Sequence, residues 1–152
     1  MTTTTTLADL PSLKGQELGT SDWLEVTQER VNTFADATGD HQWIHVDVER
    51  AKAESPFGGP IAHGYLTLSL IVPLVSETYT ISDSKMGVNY GLNKVRFPAP
   101  VPVGAKVRLT ASLKSVEEVA GGLQLTLAAV IEREGSDKPV CIAEPVFRYY
   151  GG

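Results

Sequence analysis

Two residues that handle protons, Asp40 and His45, stand five positions apart just after Gly39. Outside a regular helix or strand, that spacing lets both side chains converge on one small volume. A carboxyl group beside an imidazole can hold a water molecule, take one of its protons and deliver a proton to a second atom. Those are the steps of adding water across a double bond. Both residue types also have plain structural uses, since an Asp after a Gly commonly shapes a turn and a single His commonly supports a core. Trp43 and Ile44 are apolar and lie between the two, which marks a partly buried segment. Farther on, Gly59-Pro-Ile-Ala-His-Gly64 leads into a strongly apolar stretch. A helix starting there offers free N–H groups at its positive end, suited to an oxygen that gains charge during reaction. Gly64 has no side chain to obstruct the approach.

The elements that must position these residues are legible in the spacing of apolar residues. A helix is expected from Thr27, its cap, with Glu29 in the first turn and Val31, Phe34 and Ala35 on one apolar face, stopped by Gly39. Asp47 caps a brief helix over residues 48–53. Residues 63–78 are apolar nearly all round and read as one helix wrapped by other structure, with a kink at Pro73. Residues 88–97, 105–116, 123–133 and 140–149 alternate like strands, and residues 18–26 supply another. Short Pro- and Gly-containing links imply antiparallel pairing. A long apolar helix needs a cover, and a curved sheet needs something to fill its concave face. The expected fold is therefore α+β, a single hotdog with its antiparallel sheet wrapped around a long central helix. Residues 1–14, opening on a run of threonines, are expected to be flexible, with the domain over 15–152.

Composition narrows the chemistry. The 152 residues fit one domain, with 42% hydrophobic and 20% charged residues. A net charge of -5 without clustered Lys and Arg argues against nucleic acid as a partner. Cys141 is the one cysteine, so no internal disulfide forms, which suits a reducing, cytoplasmic setting. No signal peptide is visible, and the apolar run over 66–75 is too short for a bilayer, so no membrane partner is expected. No phosphate-binding loop or dinucleotide fingerprint appears. His41 and His45 form H-x-x-x-H, but Gln42 stands where a zinc protease needs Glu, and no third ligand is evident, so no metal is expected.

The run Phe34-Ala-Asp-Ala-Thr-Gly-Asp40-His-Gln-Trp-Ile-His45, with Ala51 six residues later, resembles the signature of the (R)-specific enoyl-CoA hydratases, the MaoC-like dehydratase family. Ile61-Ala-His-Gly-Tyr65 resembles that family's entry to its central helix, and residues 90–98 extend the likeness. The likeness covers residues 15–150, and is nearest the nodulation-protein-N-like branch. It implies that Asp40 and His45 are the acid/base pair, with the base role assigned to Asp40, and that Gly64 N–H binds the thioester oxygen. The reaction implied is reversible syn hydration of a trans-2-enoyl thioester to a (3R)-hydroxyacyl thioester, with no cofactor beyond the coenzyme A carried by the substrate. The family pattern has Asn and Pro where this chain has Gln42 and Trp43; Gln42 keeps the capacity to donate and accept, which suits a positioning role. A serine that some members place in the central helix aligns with Val72, so that role is not carried over. Lys85, Lys94 and Arg96 are candidates for coenzyme A phosphates, with a solvated strand face as the alternative.

Two other readings compete. A hotdog acyl-CoA thioesterase calls for an acid on the central helix, where this chain offers only Glu77 at the far end. A non-catalytic acyl-thioester-binding module draws support from Gln42 and Trp43 alone. In either case exposed sheet edges imply a homodimer.

Overall fold

The chain opens with a strand. In the computed structural model, which describes residues 2–151, Thr3–Thr5 (β1) pairs in parallel with Tyr79–Ile81 (β4). Leu10, in a 3-10 turn at Leu10–Leu13, is fully buried. Both elements lie within the segment 1–14 that the sequence reads as flexible. The β-branched threonines suit a strand, and a strand partner distant in sequence left no local sign of itself. Met1 lies outside the described residues.

The strand expected over 18–26 forms as two, β2 (Glu17–Thr20) and β3 (Leu24–Glu25). The break falls at Ser21, whose hydroxyl accepts from Leu109 N–H in place of a ladder carbonyl. Helix α1 (Gln28–Thr38) follows. Thr27 caps it by accepting from Arg30 N–H, and Gly39 ends it with a left-handed φ of 81° that a side chain disfavours. After α2 (Trp43–Val46), Asp47 caps α3 (Val48–Glu54) in the same way.

The apolar 63–78 stretch becomes α4 (Gly64–Ser69) and α5 (Ile71–Val75) rather than one uninterrupted helix. The ladder continues across the joint, because Leu70 N–H bonds Leu66 O at 3.0 Å and Leu74 N–H bonds Leu70 O at 3.1 Å. Leu70 N–H also reaches Thr67 O, a tightened turn, and Pro73 provides no N–H for Ser69 O. Wrapping is one-sided: Leu66, Leu70, Ile71, Leu74 and Val75 are buried, whereas Tyr65 is 73% and Val72 52% exposed.

Four long strands complete the chain: β5 (Met86–Arg96), β6 (Lys106–Val119), β7 (Gly122–Arg133) and β8 (Cys141–Tyr150). The six-stranded sheet has the order β2-β6-β7-β8-β5, with β3 also on β6, and its pairings are antiparallel. Val107, Leu109, Ala111 and Leu113 of β6, and Leu125, Leu127 and Ile131 of β7, turn their side chains to one face. Together with the buried face of α4 and α5 they form one hydrophobic core. This is the expected hotdog arrangement, a sheet packed around a central helix. No helix among the described residues is long and apolar enough to cross a membrane.

Candidate active site

Three backbone straps bring the two sequence motifs together. Ile61 N–H bonds Ile44 O at 3.0 Å, Ala62 N–H bonds Val101 O at 2.8 Å, and Val103 N–H bonds Pro60 O at 2.9 Å. The approach to α4 is thereby held between α2 and the loop before β6. Gln28, in the first turn of α1, adds a side-chain hydrogen bond to His45 O at 2.8 Å. Trp43 takes the first position of α2, which explains how Trp substitutes for Pro: the N–H there has no helical partner in either case. Arg50 of α3 lies 4.3 Å over the Trp43 ring and joins the two short helices.

The result is a cluster of Asp40, His45 and His63, each with a nitrogen or carboxylate oxygen within 4.8 Å of the others. His45 is 6% exposed, and its Nδ1 lies 2.7 Å from Ile61 O. A carbonyl only accepts, so Nδ1 carries the proton and the neutral ring presents a lone pair at Nε2. Burial lowers the pKa of His45 below its ordinary value, and the adjacent His63 adds to the effect. The Ile61 hydrogen bond and Asp40 oppose it. The imidazole is therefore uncharged at neutral pH, free to accept a proton. Asp40 is exposed, and one carboxyl oxygen accepts from Gln42 N–H at 3.3 Å. It is the backbone of Gln42, then, that touches Asp40. The partly buried segment read from Trp43 and Ile44 is buried at His45 and open at Asp40.

His63, at 2% exposure, places its ring 3.9 Å from that of His45 with 23° between the planes. Its Nε2–H donates to Asp40 O at 2.9 Å. The structure thus puts His63 inside the cluster. Gln28 was missed altogether, because a polar residue in a helix's first turn carries no sign of a partner 17 residues away. His41, the other half of the H-x-x-x-H pattern, pairs instead with Asp36 at 2.9 Å on the surface. His45 Nδ1 and His63 Nε2 are each engaged by a backbone carbonyl, which leaves His45 Nε2 and His63 Nδ1 as the free ring nitrogens of the cluster.

Gly64 follows His63 directly and begins α4. Its N–H donates to no backbone carbonyl among the described residues. It lines a cleft of about 290 Å³ with Phe57, Ile61, Thr67 and Phe97. A cavity of about 510 Å³, lined by Val72, Val75, Phe147 and Tyr149 among others, lies at the far end of α5.

A hotdog sheet around a central helix, with a carboxyl–imidazole pair at the helix entry, fits an enzyme of the hydratase–dehydratase class. The family model described as MaoC like domain matches residues 9–134, and the chain belongs to the MaoC-like dehydratase family. It is 56% identical to 3-hydroxyacyl-thioester dehydratase Z of Mycobacterium tuberculosis over 98% of this chain and 99% of that protein. It is 48% identical to nodulation protein N of Rhizobium leguminosarum bv. viciae over 90% and 86% of the two chains. The (R)-hydratase from A. caviae involved in PHA biosynthesis shares the fold with a TM-score of 0.66 at 25% identity, covering 88% and 96% of the two chains.

Proposed function

We propose that the protein catalyses reversible syn hydration of trans-2-enoyl thioesters to (3R)-hydroxyacyl thioesters in fatty-acid metabolism. The observation that carries this reading is the tautomer of His45, a buried neutral imidazole with Nε2 free, beside the carboxyl group of Asp40. In the hydration direction Asp40 accepts a hydrogen bond from the attacking water, and His45 Nε2 takes one of the water's protons as oxygen bonds to C3. Charge moves to the thioester oxygen, where Gly64 N–H donates to it. The protonated imidazole then returns its proton to C2 on the same face. Asp40 also stabilises the transient imidazolium. The base role assigned to Asp40 from sequence passes to His45 in this scheme, because a carbonyl holds the proton on Nδ1.

The cleft at Gly64 and the cavity beside α5 offer apolar surface for an acyl chain. Coenzyme A belongs to the substrate, and the chemistry calls for no other cofactor. The uncrosslinked, buried Cys141 fits the cytoplasm. The test is a trans-2-enoyl-CoA assay that reads enoyl absorbance and free thiol in one sample. Hydration consumes absorbance and releases no thiol; thiol release matching substrate loss identifies a thioesterase and overturns the proposal.

The proposal extends to a homodimer. Strand β5 ends the sheet and pairs on one side only, with β8. It exposes Val88, Tyr90 and Leu92, with the Arg148 guanidinium over the Tyr90 ring, while the helix exposes Tyr65 and Val72. Antiparallel pairing of two β5 edges satisfies the open ladder and gives this apolar surface a partner. Light scattering at micromolar concentration is expected to report twice the chain mass; a stable monomer contradicts the assignment.

A further inference from the structure

His63 has the attributes of a residue that works on both halves of the pair without meeting the substrate. It comes from the approach to α4, whereas Asp40 and His45 come from the turn after α1 and from α2. One edge of its ring donates from Nε2–H to the backbone carbonyl of Asp40 at 2.9 Å. One face stacks on His45 at 3.9 Å, and Phe34 of α1 packs against the ring at 4.9 Å with a tilt of 53°. The remaining nitrogen, Nδ1, is buried and has no hydrogen-bond partner among the described residues. An orphaned acceptor in a buried ring is costly, and steadying the loop calls for no second nitrogen: an asparagine or glutamine amide also donates to a carbonyl. What the imidazole adds is a flat face, parallel to His45, together with a donor at a fixed distance from it.

We propose that His63 is a positioning residue for the hydration, its ring holding His45 Nε2 and the Asp40 backbone in register. This rests on the hydratase reading. The constraint is two-sided. The Asp40 carbonyl fixes the proton on His63 Nε2, just as the Ile61 carbonyl fixes the proton on His45 Nδ1. Two stacked imidazoles tolerate one another only while at least one is uncharged, and His63 opposes protonation of His45. The titratable groups set against His63 are His45 and Asp40; Phe34 and the Ile61 carbonyl carry no charge. A ring freed to swing carries Nε2 away from the line of attack, and misplacement on the scale of 1 Å costs about 10²-fold in rate.

The test compares His63→Phe, which keeps a flat ring and loses the donor, with His63→Gln, which keeps a donor and loses the ring. Turnover and KM are measured on a trans-2-enoyl-CoA across pH, and histidine tautomers are read by nitrogen NMR in the wild-type protein and both variants. The expected result is a fall in kcat of about 10²-fold for each variant, with KM little changed. In His63→Phe the ring that opposes protonation of His45 is gone, so His45 holds its proton to higher pH and the acid limb of kcat/KM moves upward. Loss of thermal stability with kcat and the acid limb unmoved would reduce His63 to a structural residue and overturn the proposal. Should both variants fail to fold, the wild-type spectrum decides: His63 protonated at Nε2 and His45 at Nδ1 support it, and the opposite tautomer on either ring sinks it. A wild-type protein that consumes no enoyl-CoA refutes the hydratase reading instead, and the NMR titration of His45 in His63→Phe then still judges the positioning on its own.

Discussion

His45→Gln and Asp40→Asn each lower turnover by about 10²-fold or more, the scale of general acid/base catalysis. The two losses have different causes. Glutamine at position 45 can donate or accept a hydrogen bond but cannot take a proton near neutral pH, so water is no longer deprotonated as it attacks. Asparagine at position 40 keeps the shape and the hydrogen bond to Gln42 N–H but removes the negative charge that favours the imidazolium. Neither change opens a hydrophobic core position, so both variants stay folded and retain thioester affinity. Steady-state kinetics with circular dichroism checks this. Near-normal turnover in either variant refutes the site assignment while leaving the fold untouched.

Gly64→Pro is expected to lower kcat by about 10²- to 10³-fold, or about 2.7–4 kcal/mol, the cost of one lost donor to a developing oxyanion. Proline is suited to the first residue of a helix, where the N–H has no helical acceptor and the fixed φ matches the turn. His63 has φ -61° and ψ 140°, the extended conformation that the residue before a proline requires. The substitution thus deletes the donor with little demand on the backbone. Gly64→Ala is its control, since alanine keeps the N–H and adds a Cβ that meets the Phe97 ring at 3.3 Å. Phe97 is partly exposed, with room to give by a few tenths of an ångström. Loss confined to the proline variant assigns the effect to the hydrogen bond. Equal loss in both variants assigns it to crowding of the cleft and removes Gly64 N–H from the mechanism.

The fold was legible where the pattern was local. Thr27, Gly39 and Asp47 mark helix ends through hydrogen bonds to residues within four positions, and their roles stand as read. Alternation along residues 106–133 placed β6 and β7 within a few residues of their ends, because burial on one face repeats every second residue. Distant partners were not legible. Thr3–Thr5 looked like a low-complexity tail because its strand partner lies 76 residues away. The split at Ser21 depends on Leu109, and the interruption at Leu70 on how the turns settle around Pro73. The apolar character of residues 63–78 predicted burial on all sides, yet the chain by itself leaves Tyr65 and Val72 open, a face that a second copy would explain.

The site divides in the same way. Asp40, His45 and Gly64 drew attention by residue type and spacing, and the structure sets His63, the residue before Gly64, against both members of the pair. Gln28 and the Ile61 carbonyl were invisible, since a backbone oxygen has no sequence signature and a glutamine in a first turn has many uses. The Ile61 carbonyl determines which nitrogen of His45 is available, and the base role proposed for His45 rests on that contact.

The stereochemistry of the hydrated product tests the central claim most directly. Crotonyl-CoA or a longer trans-2-enoyl-CoA is incubated with the protein in D₂O, and the 3-hydroxyacyl product is resolved by chiral chromatography and NMR. In the proposed scheme His45 takes the proton from water and returns it on the same face, so the expected product is a (3R)-hydroxyacyl-CoA with deuterium at C2 added syn to the hydroxyl. A (3S) product, or deuterium added anti, contradicts it.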